Sequence, residues 1–171
     1  EEDGQSEAAL TELRAAAAAQ PDDPRIALVL AGQLIQAQQF EAALTLLNGP
    51  LLNTADQGAH IHFLRGAALE SLDRIPEAEA ELWAAHQADP NNADVLNYLG
   101  YLWVDRGLRV DQGAGLLAQA HAAAPDNGNI QDSLGWAQFK QGYYDTAVVT
   151  LEQAVEKEPA NAEIKIGRAH V

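Results

Sequence analysis

Residues 93–127 read ADVLNYLGYLWVDRGLRVDQGAGLLAQAHAAAPDN, and residues 128–161 follow the same plan as GNIQDSLGWAQFKQGYYDTAVVTLEQAVEKEPAN. Each stretch has a glycine in its first third, a second small residue just past its middle and a proline close to its end. Prolines keep a spacing of 35 and then 34 positions along the chain: Pro90, Pro125 and Pro159. A period of about 34 residues is typical of arrays of helix–turn–helix units.

Small and bulky residues recur at fixed places in these units and in the two units that precede them. Small residues mark the point where the first helix of a pair meets the second: Ala31, Gly66, Gly100 and Gly135. Small residues also open the second helix, and a leucine follows four positions later: Ala43 and Leu47, Ala78 and Leu82, Gly113 and Leu117, Ala147 and Leu151. Because small side chains let two helices approach closely, the pattern predicts helix pairs that rest on one another.

The composition agrees with an all-α chain. Alanine, the best helix former, supplies much of the 47% hydrophobic content, and no segment alternates apolar and polar residues as a half-buried strand does. The formal net charge of -15 argues against nucleic acid and against an anionic membrane surface as partners. The chain has no cysteine, which excludes disulfides and thiolate chemistry, and no apolar run approaches the roughly 20 residues of a membrane span.

This order of small, apolar and proline positions resembles the tetratricopeptide repeat family over essentially the whole chain. The resemblance implies an all-α fold, a right-handed α-α superhelix (a tetratricopeptide solenoid) of four repeats plus a leading half repeat. The predicted bounds are 1–20 for the second helix of an upstream repeat, then 24–58, 59–92, 93–127 and 128–161 for the four repeats. Residues 165–171 break the pattern and are interpreted as a non-native tail, and the lack of Met at position 1 as a cut end.

Several residues lead to expectations about helix ends and about the core. Asn48-Gly49-Pro50 falls inside the expected second helix of the first repeat, and proline disrupts a helix interior, so that helix should end or kink near Asn48. Trp83 and Trp103 are expected to lie in the core. Side chains that can cap the following helix occur near the end of the later repeats: Asn92, Asp126 or Asn127, and Asn161.

The resemblance also implies where a ligand binds, because in this family the first helix of each pair lines a concave groove. The residues expected to form the protein- or peptide-binding site are Phe63, Asp94, Asn97, Tyr101, Asp132, Trp136, Phe139 and Lys140, with Val104 and Asp105 at matching groove positions. Rigid aromatic rings among polar groups suit a binding hot spot, so the rings are expected to act as apolar anchors. The carboxylate and amide groups are expected to bond a peptide backbone or a basic side chain. The alternative is that the aromatic residues pack between neighbouring repeats.

No residue pattern predicts a catalytic, cofactor-binding or metal site. His60 and His62 are two positions apart on a helix and therefore point to different faces. Ser133 has no nucleophile context, and neither an EF-hand nor a zinc spacing occurs. The sequence therefore predicts a protein that is not an enzyme and that needs no cofactor.

A narrower resemblance covers roughly residues 92–164 and includes Asp132-Ser133-Leu134-Gly135-Trp136. It is similar to the C-terminal repeats of large bacterial tetratricopeptide proteins, many of them exported or lipid-anchored at the envelope. This implies a bacterial protein of the periplasm or an outer-membrane lipoprotein, with the cytoplasm as the alternative.

Three functions remain open from the sequence. The first is a non-catalytic scaffold or adaptor that binds a protein or peptide in the groove, without nucleic acid and without direct membrane insertion by this segment. The second is the targeting arm of a larger enzyme whose catalytic domain lies outside this chain. The third is a structural element that self-associates.

Overall fold

The computed structural model describes residues 2–53 and 58–158, with side chains from residue 7 onward. Within these ranges the chain forms helices and no strand: α1 Glu2–Ala19, α2 Pro24–Gln36, α3 Phe40–Leu47, α4 Ala59–Ser71, α5 Ile75–Ala88, α6 Ala93–Asp105, α7 Val110–Ala123, α8 Gly128–Lys140 and α9 Tyr144–Lys157. The chain divides into two compact units, the first ending at Ala88 and the second beginning at Asp89. Asn161, the end of the fourth predicted repeat and the predicted tail at 165–171 lie outside the described residues.

Within each helix pair, the two helices approach most closely at a small residue. A Cβ placed on Gly100 would lie 2.9 Å from the carbonyl oxygen of Gly113, and one placed on Gly113 would lie 2.7 Å from the carbonyl oxygen of Gly100. A Cβ on Gly66 would lie 2.6 Å from Cγ of Leu82. Real side chains do not come this close, so the predicted contacts between α4 and α5 and between α6 and α7 are confirmed.

Each first helix ends in the same turn, which the sequence pattern had not indicated. One residue in each turn has a positive φ: Gln38 at 57°, Asp73 at 58°, Gly107 at 66° and Gly142 at 86°. After α6, the N–H of Gly107 donates to Val104 O and the N–H of Leu108 donates to Trp103 O. This is the hydrogen-bond pattern of a Schellman helix end. It reverses the chain and brings the second helix back along the first.

Side-chain caps fix where the first helices begin. Asn92 and Asn127 each accept hydrogen bonds of 3.0–3.2 Å from the backbone N–H groups two and three residues ahead. These bonds confirm the predicted caps of α6 and α8 and select Asn127 over Asp126. Asp23 caps α2 by accepting from the backbone N–H of Arg25 and also accepts from the Arg25 guanidinium, which lowers the pKa of its carboxyl group from 3.8 to about 2.

The second helix of the first predicted repeat is short. It ends at Leu47, with Asn48 as its C-cap, as Asn48-Gly49-Pro50 predicted. Arg65, only 4% exposed, reaches this end from α4 and donates from Nη2 to the carbonyl oxygen of Leu47 over 2.6 Å. The buried guanidinium thus supplies a donor for a carbonyl group that a continuing helix would have satisfied with its own backbone.

The two tryptophans expected in the core have different positions. Trp103 is 4% exposed and confirms the prediction, whereas Trp83 is 43% exposed and the prediction for it is wrong. Trp83 directly follows Leu82, which is fully buried in α5. One residue of a helix corresponds to a rotation of about 100°, which takes the Trp83 side chain away from the contact that buries Leu82, whereas Trp103, after the buried Leu102, remains covered.

Two glycines of α7 should respond in opposite ways to replacement by alanine. Gly113→Ala places a methyl group against the carbonyl oxygen of Gly100, so the free energy of unfolding should fall by about 1–3 kcal/mol. At Gly115 an added Cβ meets nothing within 4 Å. Gly115→Ala should therefore raise the free energy of unfolding by about 0.5–1 kcal/mol through better helix propensity. Urea unfolding followed by circular dichroism measures both, and effects of the same sign would contradict the close helix contact.

Candidate functional site

The second unit presents a face built from its two first helices. Helices α6 and α8 contact each other, and α7 packs against both. Residues three, four or seven positions apart lie on one side of a helix. The residues that define this α6/α8 face are Asp94, Asn97, Tyr101 and Asp105 on α6 and Asp132, Trp136, Phe139 and Lys140 on α8. The face therefore includes every residue of the predicted binding site except Phe63.

Aromatic rings occupy the α8 side of this face. The rings of Trp136 and Phe139 stack with their centroids 5.3 Å apart and their planes inclined by 19°. The ring of Tyr144, at the start of α9, lies 5.4 Å from that of Phe139. Trp136 is half-buried and also packs against a core cluster that includes Val104 and Ala137. The fold therefore holds Trp136 in place by its inner contacts while part of its surface faces outward.

A cation lies against the Trp136 ring. Lys140 Nζ is 4.9 Å from the ring centroid, within the range of a cation–π interaction. The same ammonium group donates to the carbonyl oxygen of Asp105 over 3.5 Å. Asp105 is the last residue of α6, and the carbonyl end of a helix carries partial negative charge. A ring face and a helix end therefore converge on one positively charged group.

The face also carries polar groups from both helices. Among the described residues, Asn97 Oδ1 and Trp136 Nε1 are buried and have no hydrogen-bond partner. A buried polar atom without a partner costs about 1–3 kcal/mol. Tyr101 lies one turn after Asn97 and is 43% exposed. An acceptor, a donor and an exposed phenol thus occur on the same two helices.

Two residues that were expected to line the groove pack against hydrophobic core clusters instead. Val104 is fully buried and belongs to the core cluster of the second unit, so its predicted exposure in the groove is wrong. Phe63 is on α4 in the first unit, where it packs half-buried against a core cluster that includes Leu47 and Leu64. A role of Phe63 in binding stays a prediction.

Other kinds of site find little support in the part of the chain that the structure describes. Over residues 2–53 and 58–158, no group of three or more His, Asp or Glu side chains is arranged to hold a metal ion. His62 Nδ1 lies 2.7 Å from a carboxylate oxygen of Glu81, and His60 is exposed. Across the same described residues, none of the helices combines the length and apolar character that crossing a membrane requires.

Comparisons with known proteins identify the repeat. Residues 3–65 match the profile of the family described as Tetratricopeptide repeat. Over 122 residues, or 71% of this chain, the sequence is 29% identical to the TPR repeat-containing protein PA4667 of Pseudomonas aeruginosa. The thermophilic TPR protein TTC0263 of Thermus thermophilus is similar in structure, with a TM-score of 0.81 and 22% identity over 98% of this chain and 90% of that one. Residues 3–65 therefore have tetratricopeptide repeat sequence, and the chain has the tetratricopeptide fold.

Another solved tetratricopeptide-like structure extends the comparison of folds. MamA of Desulfovibrio magneticus has a TM-score of 0.71 and 21% identity, over 94% of this chain and 90% of that one. At this identity the likeness concerns the fold alone, and it confirms the predicted class, an all-α tetratricopeptide solenoid. The chain spans about a fifth of the length of its Pseudomonas relative.

Tyr101 and Trp136 should differ in their effect on the stability of the chain. Tyr101→Ala removes a ring that is 43% exposed, so the free energy of unfolding should fall by only about 1 kcal/mol. Trp136→Ala leaves a gap against Val104 and Ala137 and should lower it by about 3 kcal/mol. Urea unfolding distinguishes the two, and similar losses would contradict the division into a contact residue and a framework residue.

Proposed function

We propose that this chain is a non-catalytic scaffold or adaptor that binds an extended protein segment on the α6/α8 face. The exposed ring of Tyr101, one turn from the buried and unpartnered Oδ1 of Asn97, is the observation that carries the proposal. Aromatic anchors next to hydrogen-bonding groups are typical of the few residues that supply most of the energy of a protein interface. The tetratricopeptide fold supports this function because its helix pairs present first-helix faces to a partner.

The hydrogen-bonding groups of the face suit a peptide main chain. An extended segment offers alternating N–H and C=O groups, and an asparagine amide can bond both. Asn97 Oδ1 needs a donor, which a backbone N–H supplies after a rotamer change of the kind that is common on binding. Tyr101 then provides an apolar surface and a hydroxyl group beside that contact.

Tyr101→Ala should weaken binding at least fivefold, because truncating an aromatic anchor costs more than about 1 kcal/mol. The probe is a fluorescent peptide selected against the full chain from a display library of short random sequences, and the measurement is fluorescence anisotropy. Tyr143→Ala is the matched control, since it removes the same side chain, 60% exposed, from the turn before α9. Equal affinity of wild type and Tyr101→Ala for every selected peptide would rule out the α6/α8 face as the binding site.

Asn97→Leu should separate binding from stability. Leucine has nearly the shape of asparagine but no buried oxygen to leave unsatisfied, so the free energy of unfolding should stay level or rise by about 1 kcal/mol. The affinity for the selected peptides should fall at the same time, because the acceptor for the peptide backbone is gone. Urea unfolding and anisotropy on the same preparation measure the two effects. A loss of stability together with unchanged binding would show that Asn97 is only a packing residue.

We also propose two features that rest on the sequence alone. The first is self-association, for which light scattering across a range of concentrations is the test, and a strictly monomeric chain would argue against it. The second is a place in the bacterial envelope, suggested by the resemblance of residues 92–164 to envelope repeats. Fractionation of cells that express the full-length gene tests that location.

A further inference from the structure

One corner of the α6/α8 face already holds a positive charge, and that charge is the chain's own. The corner consists of the Trp136 ring on α8 and the carbonyl oxygen of Asp105 at the end of α6. Lys140 Nζ lies 4.9 Å from the ring centroid and 3.5 Å from the carbonyl oxygen. The helix end and the ring face both favour a cation at this point.

We propose that this corner is a subsite for an arginine side chain of the bound protein segment, and that Lys140 occupies it until the arginine displaces it. The inference rests on the function proposed above and specifies the chemistry of the partner. The α6/α8 face is a surface for a segment that carries a basic residue, and Lys140 competes with that residue.

The contacts of Lys140 are weak enough for such an exchange. A donor–acceptor distance of 3.5 Å is at the long limit for a hydrogen bond, and the lysine side chain is exposed. A guanidinium group is planar and less strongly hydrated, so it stacks on an indole ring more readily than an ammonium group does. Its several N–H donors can bond the Asp105 carbonyl oxygen while its plane lies on the ring. Arginine from a partner therefore gains contacts that Lys140 lacks.

The charge of the surrounding surface favours a basic partner. The α6/α8 face carries the carboxyl groups of Asp94, Asp105 and Asp132 against the single ammonium group of Lys140. The described part of the second unit, residues 89–158, has ten Asp and Glu residues and four Lys and Arg residues. An approaching arginine is therefore attracted over a distance of about one Debye length before any contact forms.

Paired peptide pools test the subsite with the full chain. The probes are fluorescent, end-blocked pools of short degenerate peptides whose fixed central residue is arginine in one pool and citrulline, its neutral analogue of equal length, in the other. Wild type should bind the arginine pool about two- to fivefold more tightly in fluorescence anisotropy. Lys140→Met removes the competitor and should raise that preference by at least a further twofold.

Matched variants separate the local effect from net charge. Lys157→Met removes the same charge from the same unit at the end of α9, and its preference should equal that of wild type. Asp105→Asn should lower the preference for arginine, whereas Asp126→Asn, in the loop before α8, should leave it unchanged. Circular dichroism and thermal unfolding of each variant establish that it is folded.

The outcomes distinguish this inference from the proposed function. If both pools bind equally well and Tyr101→Ala weakens both, the face binds peptides but the arginine subsite is wrong. If Lys140→Met strengthens both pools by the same factor, Lys140 merely covers the Trp136 ring, and the subsite is again wrong. If neither pool binds wild type or Lys140→Met, both the subsite and the proposed function are wrong.

Discussion

The direct contact between the backbones of Gly100 and Gly113 is the constraint from which the binding face of the second unit follows. With no side chain between them, α6 and α7 come close enough for Leu117 to be completely buried beneath α6. Because Gly100 must point at α7, the next residue of the helix is rotated by about 100° and points elsewhere. That residue is Tyr101, and it is 43% exposed. The close packing of α6 against α7 therefore determines which side chain of α6 is exposed.

The same relation links Gly135 and Trp136 on α8, with a different result. A Cβ on Gly135 would lie 2.7 Å from the side chain of Leu151, so this glycine points at α9. Trp136 follows it but remains half-buried, because its larger ring also packs against the core cluster that includes Val104 and Ala137. The sequence left open whether the aromatic residues bind a partner or pack between repeats. Trp136 is compatible with both roles, because its ring packs against the core cluster and also contacts the ammonium group of Lys140.

The helix ends that the sequence predicted correctly depend on residues that are close to them in the chain. The end of α3 follows from Pro50, and the starts of α6 and α8 follow from Asn92 and Asn127, because each effect acts within a few residues of its cause. The rotation of a side chain about its helix depends instead on neighbours distant in sequence, which is why Trp83 and Val104 were placed wrongly. The turns after the first helices show a further limit. Glycine at 107 and 142 is a visible signal for a positive φ, but Gln38 and Asp73 adopt the same conformation without one.

Those turns also bear on how the face can bind a partner. At the end of α6, the carbonyl groups of residues 102, 103 and 104 accept backbone hydrogen bonds from the turn, while the Asp105 carbonyl accepts the bond from Lys140. Backbone donors of the turn thus satisfy the carbonyl groups of residues 102–104, and the Asp105 carbonyl group is bonded by a side chain of α8. The caps, the turn and the glycine contact fix both helices. Binding of a partner therefore costs little conformational entropy in this surface. The rigidity needed to stack helix pairs is therefore the same property that lets a few exposed side chains act as a binding site.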